Sequence, residues 1–377
     1  MFNIAQVHFG VTHYHSYIVC GATEGRPGAS DPPPGTKWRD WKGETNESGL
    51  TFAARSQSRA SRGNESSTSI TPSVYVGRVD LPQSPIHSIS DTARWVAVYR
   101  ARESERPDAV FRDPFAQRLA GERGQQIAAS MPFAEKNSWP FVARTWLIDR
   151  LISEQVRGGI DRVVNLAAGL DARPYRMDLP RSLQWVEVDL PEILAHKEEV
   201  LRKEKPVCAL ERVRLDLSDV QARRELFLQL GRRANRVLVV TEGLLVYLTA
   251  EEAAVLGNDL AAQPAFQHWI LDLASPALLK MLAKKMAAPL NQAGIPLKFA
   301  PETGPEFFTR CGWKPEQIHS VMHAAAKIKR LPLFLRLIAM ISPARFQPNR
   351  PWSGVCLMGR RVLELRPPTQ ADQAPTN

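Results

Sequence analysis

From about residue 160 to residue 272 the chain alternates short Val/Ile/Leu runs with longer segments in which apolar residues recur every three or four positions. The short runs Arg162–Leu166, Gln184–Val188, Val213–Leu215, Val237–Thr241 and His268–Leu271 predict strands. The periodic segments Ile193–Lys203, Val220–Leu230 and Ala250–Ala261 predict helices between them. Continuous rather than alternating apolar runs, spaced by helices, predict an α/β fold: a parallel sheet covered on both faces, with ligands at the carboxyl ends of the strands. Val355–Met358 reads as a late edge strand. There is no internal repeat.

Upstream, Ser90-Asp91-Thr92 forms a helix-cap pattern before Ala93, Trp95, Val96, Val98 and Tyr99. A second helix, Phe141 to Val156, carries Arg144 among Val142, Ala143, Trp146 and Leu147 and stops at Gly158-Gly159. Residues 1–88 hold no sustained apolar period. With Pro32-Pro33-Pro34-Gly35 and a Ser/Arg/Asn/Gly-rich stretch they read as a disordered arm, and residues 364–377 as a disordered tail. Residues 89–363 form the expected folded domain.

Composition changes this picture little. The 377 residues are 44% hydrophobic, enough for a sizeable core. Four scattered cysteines (Cys20, Cys208, Cys311, Cys356) without CxxC spacing argue against a disulfide framework or a structural metal, and fit a reducing, cytoplasmic setting. No run reaches membrane-spanning length, and the N-terminus lacks a basic leader, so stable membrane insertion is not expected. The formal charge is +10, and residues 1–90 contribute only +1 of it. Part of the excess lies between Glu316 and Glu364, where eight Lys and Arg residues and no acid occur. These cations alternate with Leu, Ile and Phe instead of forming a solvated basic arm, so nucleic acid is not the expected partner. The stretch reads as a lid with its charges on the outer face, or as a surface for an anionic substrate or a membrane.

The chemistry sits at the strand ends. The first gives Ala167-Ala168-Gly169-Leu170-Asp171, a small-residue turn that lets a ligand approach the backbone. The second gives Glu187-Val188-Asp189-Leu190-Pro191, where a carboxylate accepts two hydrogen bonds from a ribose diol. The third gives Asp216-Leu217, an acceptor beside an apolar side chain, suited to adenine. The fourth gives Glu242-Gly243-Leu244-Leu245-Val246-Tyr247-Leu248. An acid after a strand also serves as a plain helix cap, and Asp189 or Asp216 taken singly fits that role equally. The loop lacks the GxGxxG of a dinucleotide site, and Asp171 would repel a pyrophosphate. A cationic sulfonium cofactor tolerates that carboxylate, and S-adenosylmethionine fits best.

These residues resemble a known family. Asp91-Thr92-Ala93-Arg94-Trp95, Arg100-Ala101-Arg102-Glu103-Ser104-Glu105-Arg106-Pro107-Asp108 and Phe111-Arg112-Asp113-Pro114 are similar to the opening of bacterial class I methyltransferases related to leucine carboxyl methyltransferase. Asn165 to Arg173 is similar to that family's NLGAGLDTR loop, with Ala167 for the first glycine and Ala172 for the threonine; the blocks at Glu187 and Glu242 also match. The resemblance covers about residues 90 to 362. It implies a Rossmann-like, doubly wound, seven-stranded sheet with a helical lid. It also implies an S-adenosylmethionine-dependent enzyme in which Arg144 pairs with the cofactor's carboxylate and Arg100 helps close the site. Ala167, Gly169 and Asp171 then form the loop, Asp189 binds ribose, Asp216 and Leu217 hold adenine, and Glu242 lines the methionine end.

The expected reaction is O-methylation of a carboxylate or hydroxyl on a small molecule or peptide C-terminus. A carboxylate acceptor needs no general base; a hydroxyl needs one, with Tyr247, Glu242 or His196 as candidates. No NPPY-like block follows the fourth strand, which disfavours N-methylation. Trp139, Phe141, Phe307, Phe308, Trp313 and Trp352 could line an acceptor pocket, although most large aromatics are core. From other classes, the chain reads as a non-catalytic cofactor-binding protein or a membrane-surface module.

Overall fold

The Val- and Leu-rich runs become the inner strands of one sheet because both of their faces are apolar. In a computed structural model, which describes residues 89–130, 138–292 and 296–361, the strands are β1 (Arg162–Leu166), β2 (Gln184–Asp189), β3 (Ala209–Arg214), β4 (Val237–Thr241), β5 (Phe266–Ala274), β6 (Trp313–Ser320) and β7 (Ser353–Arg360). Their order is β3-β2-β1-β4-β5-β7-β6, with β1 to β5 mutually parallel and β7 antiparallel to both of its neighbours. The doubly wound seven-stranded sheet is therefore the observed one. The arm at 1–88 and the tail at 364–377 lie outside the described residues.

Helices α1 (Ile89–Ser104), α2 (Ala116–Ser130) and α3 (Trp139–Arg157) precede the sheet. Within it follow α4 (Arg173–Arg176), α5 (Pro191–Leu201), α6 (Val220–Arg232), α7 (Ala250–Ala261), α8 (Pro276–Gln292), α9 (Val321–Lys327) and α10 (Leu333–Ile341). Successive strand residues point to opposite layers. Val164, Val186, Val239, Trp269 and Cys356 pack with Phe227 of α6 and Leu256 and Leu260 of α7. Val163, Trp185, Leu238, Ile270 and Leu357 pack with Leu147 and Leu151 of α3 and Ala325 of α9. A third cluster joins Ala97, Val98 and Leu119 of α1 and α2 to Leu170 and Ile193, setting these helices over the loop after β1.

Two strand expectations need correction. Val355–Met358 lies inside β7, which is not an edge: β6 pairs along its outer side. The sequence reading did not anticipate β6, because Pro315 and the alternating exposure of Trp313–Ser320 hide it; the ladder shifts register at Pro315/Gln317, where a proline is tolerated on an edge strand. β3 begins at Ala209, four residues before the expected start, and its Glu211, Arg212 and Arg214 explain why an apolar run was visible only at its end.

Candidate active site

Register builds the site. Leu166, the last residue of β1, pairs with Val188 of β2 on one side and Thr241 of β4 on the other, and Thr241 pairs with Leu271 of β5. The next residues along these strands, Ala167, Asp189, Glu242 and Asp272, therefore emerge side by side at the carboxyl edge. There they line a cleft of ≈ 1820 Å³. Arg100, Arg144, Gly169, Asp171, Asp216, Leu217 and Tyr247 line the same cleft, so the residues expected to hold the cofactor meet in one place together with Tyr247.

The loop after β1 is held in a conformation unusual for its sequence. Ala167 has φ of 52°, a left-handed backbone that L-residues adopt at a cost of about 1–2 kcal/mol. Gly169, at φ of 48°, takes the same region without that cost, and a Cβ there would come within 3.2 Å of the Ala93 side chain of α1. The turn brings the Gly169 N–H to Oδ2 of Asp189 at 2.6 Å, while the Leu190 N–H reaches Oδ1 at 2.7 Å. Burial raises the Asp189 pKa against the lowering effect of these two bonds. Asp216 is exposed at the cleft rim, where its Oδ1 accepts the Ser218 N–H at 2.8 Å.

Behind the loop lies a connected ladder of ion pairs. Arg144 donates to Glu242 at 3.0 Å and to Asp272 at 3.0 Å. Arg173, 2% exposed, donates to Glu242 at 2.9 Å, Asp171 at 2.9 Å and Asp149 at 2.6 Å. Arg176 continues from Asp149 (2.7 Å) towards Asp113 (3.8 Å), which accepts from Arg100 at 2.9 Å. Five carboxylates thus face four guanidiniums, leaving one negative charge in excess. Against the penalty of burial, the Arg173, Lys197 and Arg176 charges bring the Asp171 carboxyl down to about 2. Arg173 and Arg144 likewise hold Glu242 below the usual carboxylate range despite its burial.

These partners refine the expected roles. Asp171 is occupied by Arg173 and by the Asn165 amide at 2.8 Å, so it braces the loop. Arg100 is turned the same way: besides Asp113, it donates to the Leu170 carbonyl at 2.6 Å and fastens α1 to the loop. His196 does not reach the cleft; its Nε2 lies 3.0 Å from Arg94 and 3.1 Å from the Leu119 carbonyl. Phe308 and Trp313 are fully buried core, and Phe307 packs against that core, whereas Trp139, Phe141 and Trp352 line the cleft. Sequence reading missed Asp272, the cleft-lining Trp95, Tyr99 and Phe299, and the apolar Met322, Leu335 and Ile338. Asp272 obeys the same strand-end rule as the others, but the expected fifth strand stopped one residue short of it. Its Oδ1 accepts the Gly243 N–H at 2.7 Å in a turn where Gly243 has φ of 68°.

The sequence profile of the leucine carboxyl methyltransferase family matches residues 93–261. Over 237 residues, 59% of this chain and 82% of the relative, the chain is 31% identical to a Streptomyces coelicolor protein provisionally named an S-adenosyl-L-methionine-dependent methyltransferase. The chain belongs to this methyltransferase family. A Streptomyces avermitilis relative with the same provisional name is 30% identical over 250 residues, 63% of this chain and 87% of that protein. Among solved structures, a duf574 family protein from Streptomyces avermitilis is 15% identical, covering 71% of this chain and 97% of that one with a TM-score of 0.45. The family match ends at Ala261, the last residue of α7. The cleft also draws on residues beyond that point, including Asp272, Phe299, Leu335 and Trp352.

Proposed function

We propose that the chain is an S-adenosylmethionine-dependent O-methyltransferase and that its acceptor presents a carboxylate. The donor set suits the cofactor: one excess negative charge in the ladder complements a molecule that carries a sulfonium, an ammonium and a carboxylate. Asp189 is a desolvated carboxylate that accepts from the Gly169 and Leu190 backbone N–H groups, and a ribose diol supplies the further donors that would favour its charged form. Arg144 uses one N–H on Glu242 and one on Asp272, which leaves donors for the cofactor's carboxylate. Asp216 and Leu217 flank the adenine position.

The observation that carries the carboxylate reading is the state of the two candidate bases. Glu242 is pinned between Arg144 and Arg173 with its pKa lowered, so it is a poor proton acceptor. Tyr247 is pushed up by burial, beyond what its hydrogen bond to Thr92 offsets, so at neutral pH it is a phenol that donates. Among the described residues the cleft lining contains no histidine. A hydroxyl acceptor would need its proton removed in the transition state, whereas a carboxylate is anionic already. Bound S-adenosylmethionine supplies an electrophilic methyl group on a sulfonium. The protein's part is positioning: the strand-end residues fix the donor, the apolar half of the cleft excludes water, and Arg345, Arg350 and Lys298 offer charge to an acceptor carboxylate.

Calorimetric titration should show S-adenosylmethionine binding that weakens at least tenfold in Asp189→Ala. Transfer of tritiated methyl from the cofactor to a panel of carboxylic acids and phenols then reads the chemistry directly. Methyl esters release volatile label in alkali; alkali-stable label on a phenol would overturn the carboxylate reading, and binding without any transfer would favour a non-catalytic cofactor-binding protein.

A further inference from the structure

We propose that α10 is an interfacial helix that docks the mouth of the cleft on an anionic lipid surface, which deepens the reading above by naming where the acceptor is met. α10, Leu333–Ile341, has the sequence LFLRLIAMI. Leu335 and Ile338 line the cleft and Ala339 is buried against the core, but Leu333, Phe334, Leu337, Met340 and Ile341 are between 60% and 86% exposed. A helix apolar on all sides is covered on all sides in its working state. At about 14 Å it is too short to span a bilayer and long enough to lie in one leaflet's interface. No helix among the described residues is long and apolar enough to cross a membrane.

Charge selects the occupant. The single cation within α10, Arg336, donates to the Leu331 and Lys329 carbonyls instead of pairing with an acid. From Glu316 to Glu364 the chain has no acidic residue, and Lys327, Lys329, Arg345 and Arg350 are exposed on both sides of the helix. On α8, whose Leu278, Met281 and Leu282 also line the cleft, Lys280 and Lys284 are exposed as well. An apolar helix flanked in sequence by exposed cations, on a cleft that α8 with its exposed lysines also lines, matches an interface of acyl chains beneath anionic headgroups.

The full chain is sedimented with vesicles of equal parts phosphatidylcholine and phosphatidylglycerol, and with phosphatidylcholine alone. Wild type should bind the anionic vesicles at least about tenfold more tightly than the neutral ones, and less tightly as salt is raised. Phe334→Glu/Met340→Glu should lose at least about tenfold in vesicle binding while its S-adenosylmethionine affinity by calorimetry stays at the wild-type value, which separates lost docking from lost folding. Lys280→Glu/Lys284→Glu should weaken binding to the anionic vesicles only. The proposal is overturned if wild type stays in the supernatant with both lipids, or if Phe334→Glu/Met340→Glu sediments like wild type. It is also overturned if that variant converts a dimer to a monomer without changing vesicle binding, since a second copy would then be the cover. Vesicle binding without cofactor binding would sink the methyltransferase reading and leave this one standing; cofactor binding without vesicle binding would do the reverse.

Discussion

At Ala167 the chain holds an alanine where the family loop has glycine, and the backbone still takes the left-handed conformation, φ of 52°. Ala167→Gly should therefore relieve about 1–2 kcal/mol of local strain, set against about 0.5–1 kcal/mol of added unfolded-state entropy. The net expectation is a melting temperature unchanged or raised by a few degrees, checked by calorimetry, with cofactor affinity retained; a clear drop would mean that the methyl group packs favourably enough to outweigh the strain. Asp189 makes a pH prediction. Its folded pKa is raised, so the carboxylate destabilises the cofactor-free fold above the unfolded pKa, and hydroxyl donors would remove that penalty. S-adenosylmethionine affinity should hold at neutral pH and fall as pH is lowered through the raised Asp189 pKa, above the ordinary carboxylate range, by up to about tenfold per pH unit once Asp189 protonates. Titrations across that range check it, and Asp189→Asn should flatten the profile.

Among the elements, β2 and α5 are joined by a fully buried pair. Lys197 of α5 donates to Glu187 of β2 at 2.7 Å, both side chains are 0% exposed, and Arg212 of β3 adds a bond at 2.9 Å. The sequence block Glu187-Val188-Asp189 thus divides its labour: one acid secures the sheet and the next reaches the cleft. Lys197→Met should destabilise by about 3–5 kcal/mol, because Glu187 is left buried with half its compensation. Denaturant unfolding measures this, and a loss below about 1 kcal/mol would show that Arg212 alone compensates Glu187. Element legibility followed environment. β1 and β4, buried on both faces, were legible to the residue; β3 and β6, the polar edge strands, were partly or wholly hidden.

For the molecule as a whole, stability and site preparation are coupled through the ladder from Asp272 to Arg100. Asp171, with its carboxyl at about 2 in the fold, contributes of order 2 kcal/mol that is fully present above the ordinary Asp pKa and lost as pH falls through about 2. Acid unfolding followed by circular dichroism should steepen in that window, and the steepening should be absent in Asp171→Asn. Arg173→Met should cost more than any single carboxylate in the ladder, since it strands Asp149, Asp171 and Glu242 together. We expect loss of at least about 3 kcal/mol and of cofactor binding.

Local sequence determined the alternation of strands and helices, the small-residue loop and the acids at four strand ends, since apolar periodicity and turn chemistry act over a few residues. Tertiary structure alone decided the partners. Asp272 stands beside Glu242 because β5 lies next to β4, and Arg173 reaches three acids because the fold brings Asp149 of α3 and Glu242 after β4 to the same guanidinium as Asp171. Sequence placed cationic and apolar residues along 327–350, but only packing exposed one face of α10 to solvent and turned Leu335 and Ile338 into the cleft. Pairing, burial and charge compensation depend on residues tens to hundreds of positions apart, and a linear pattern carries no distance between them.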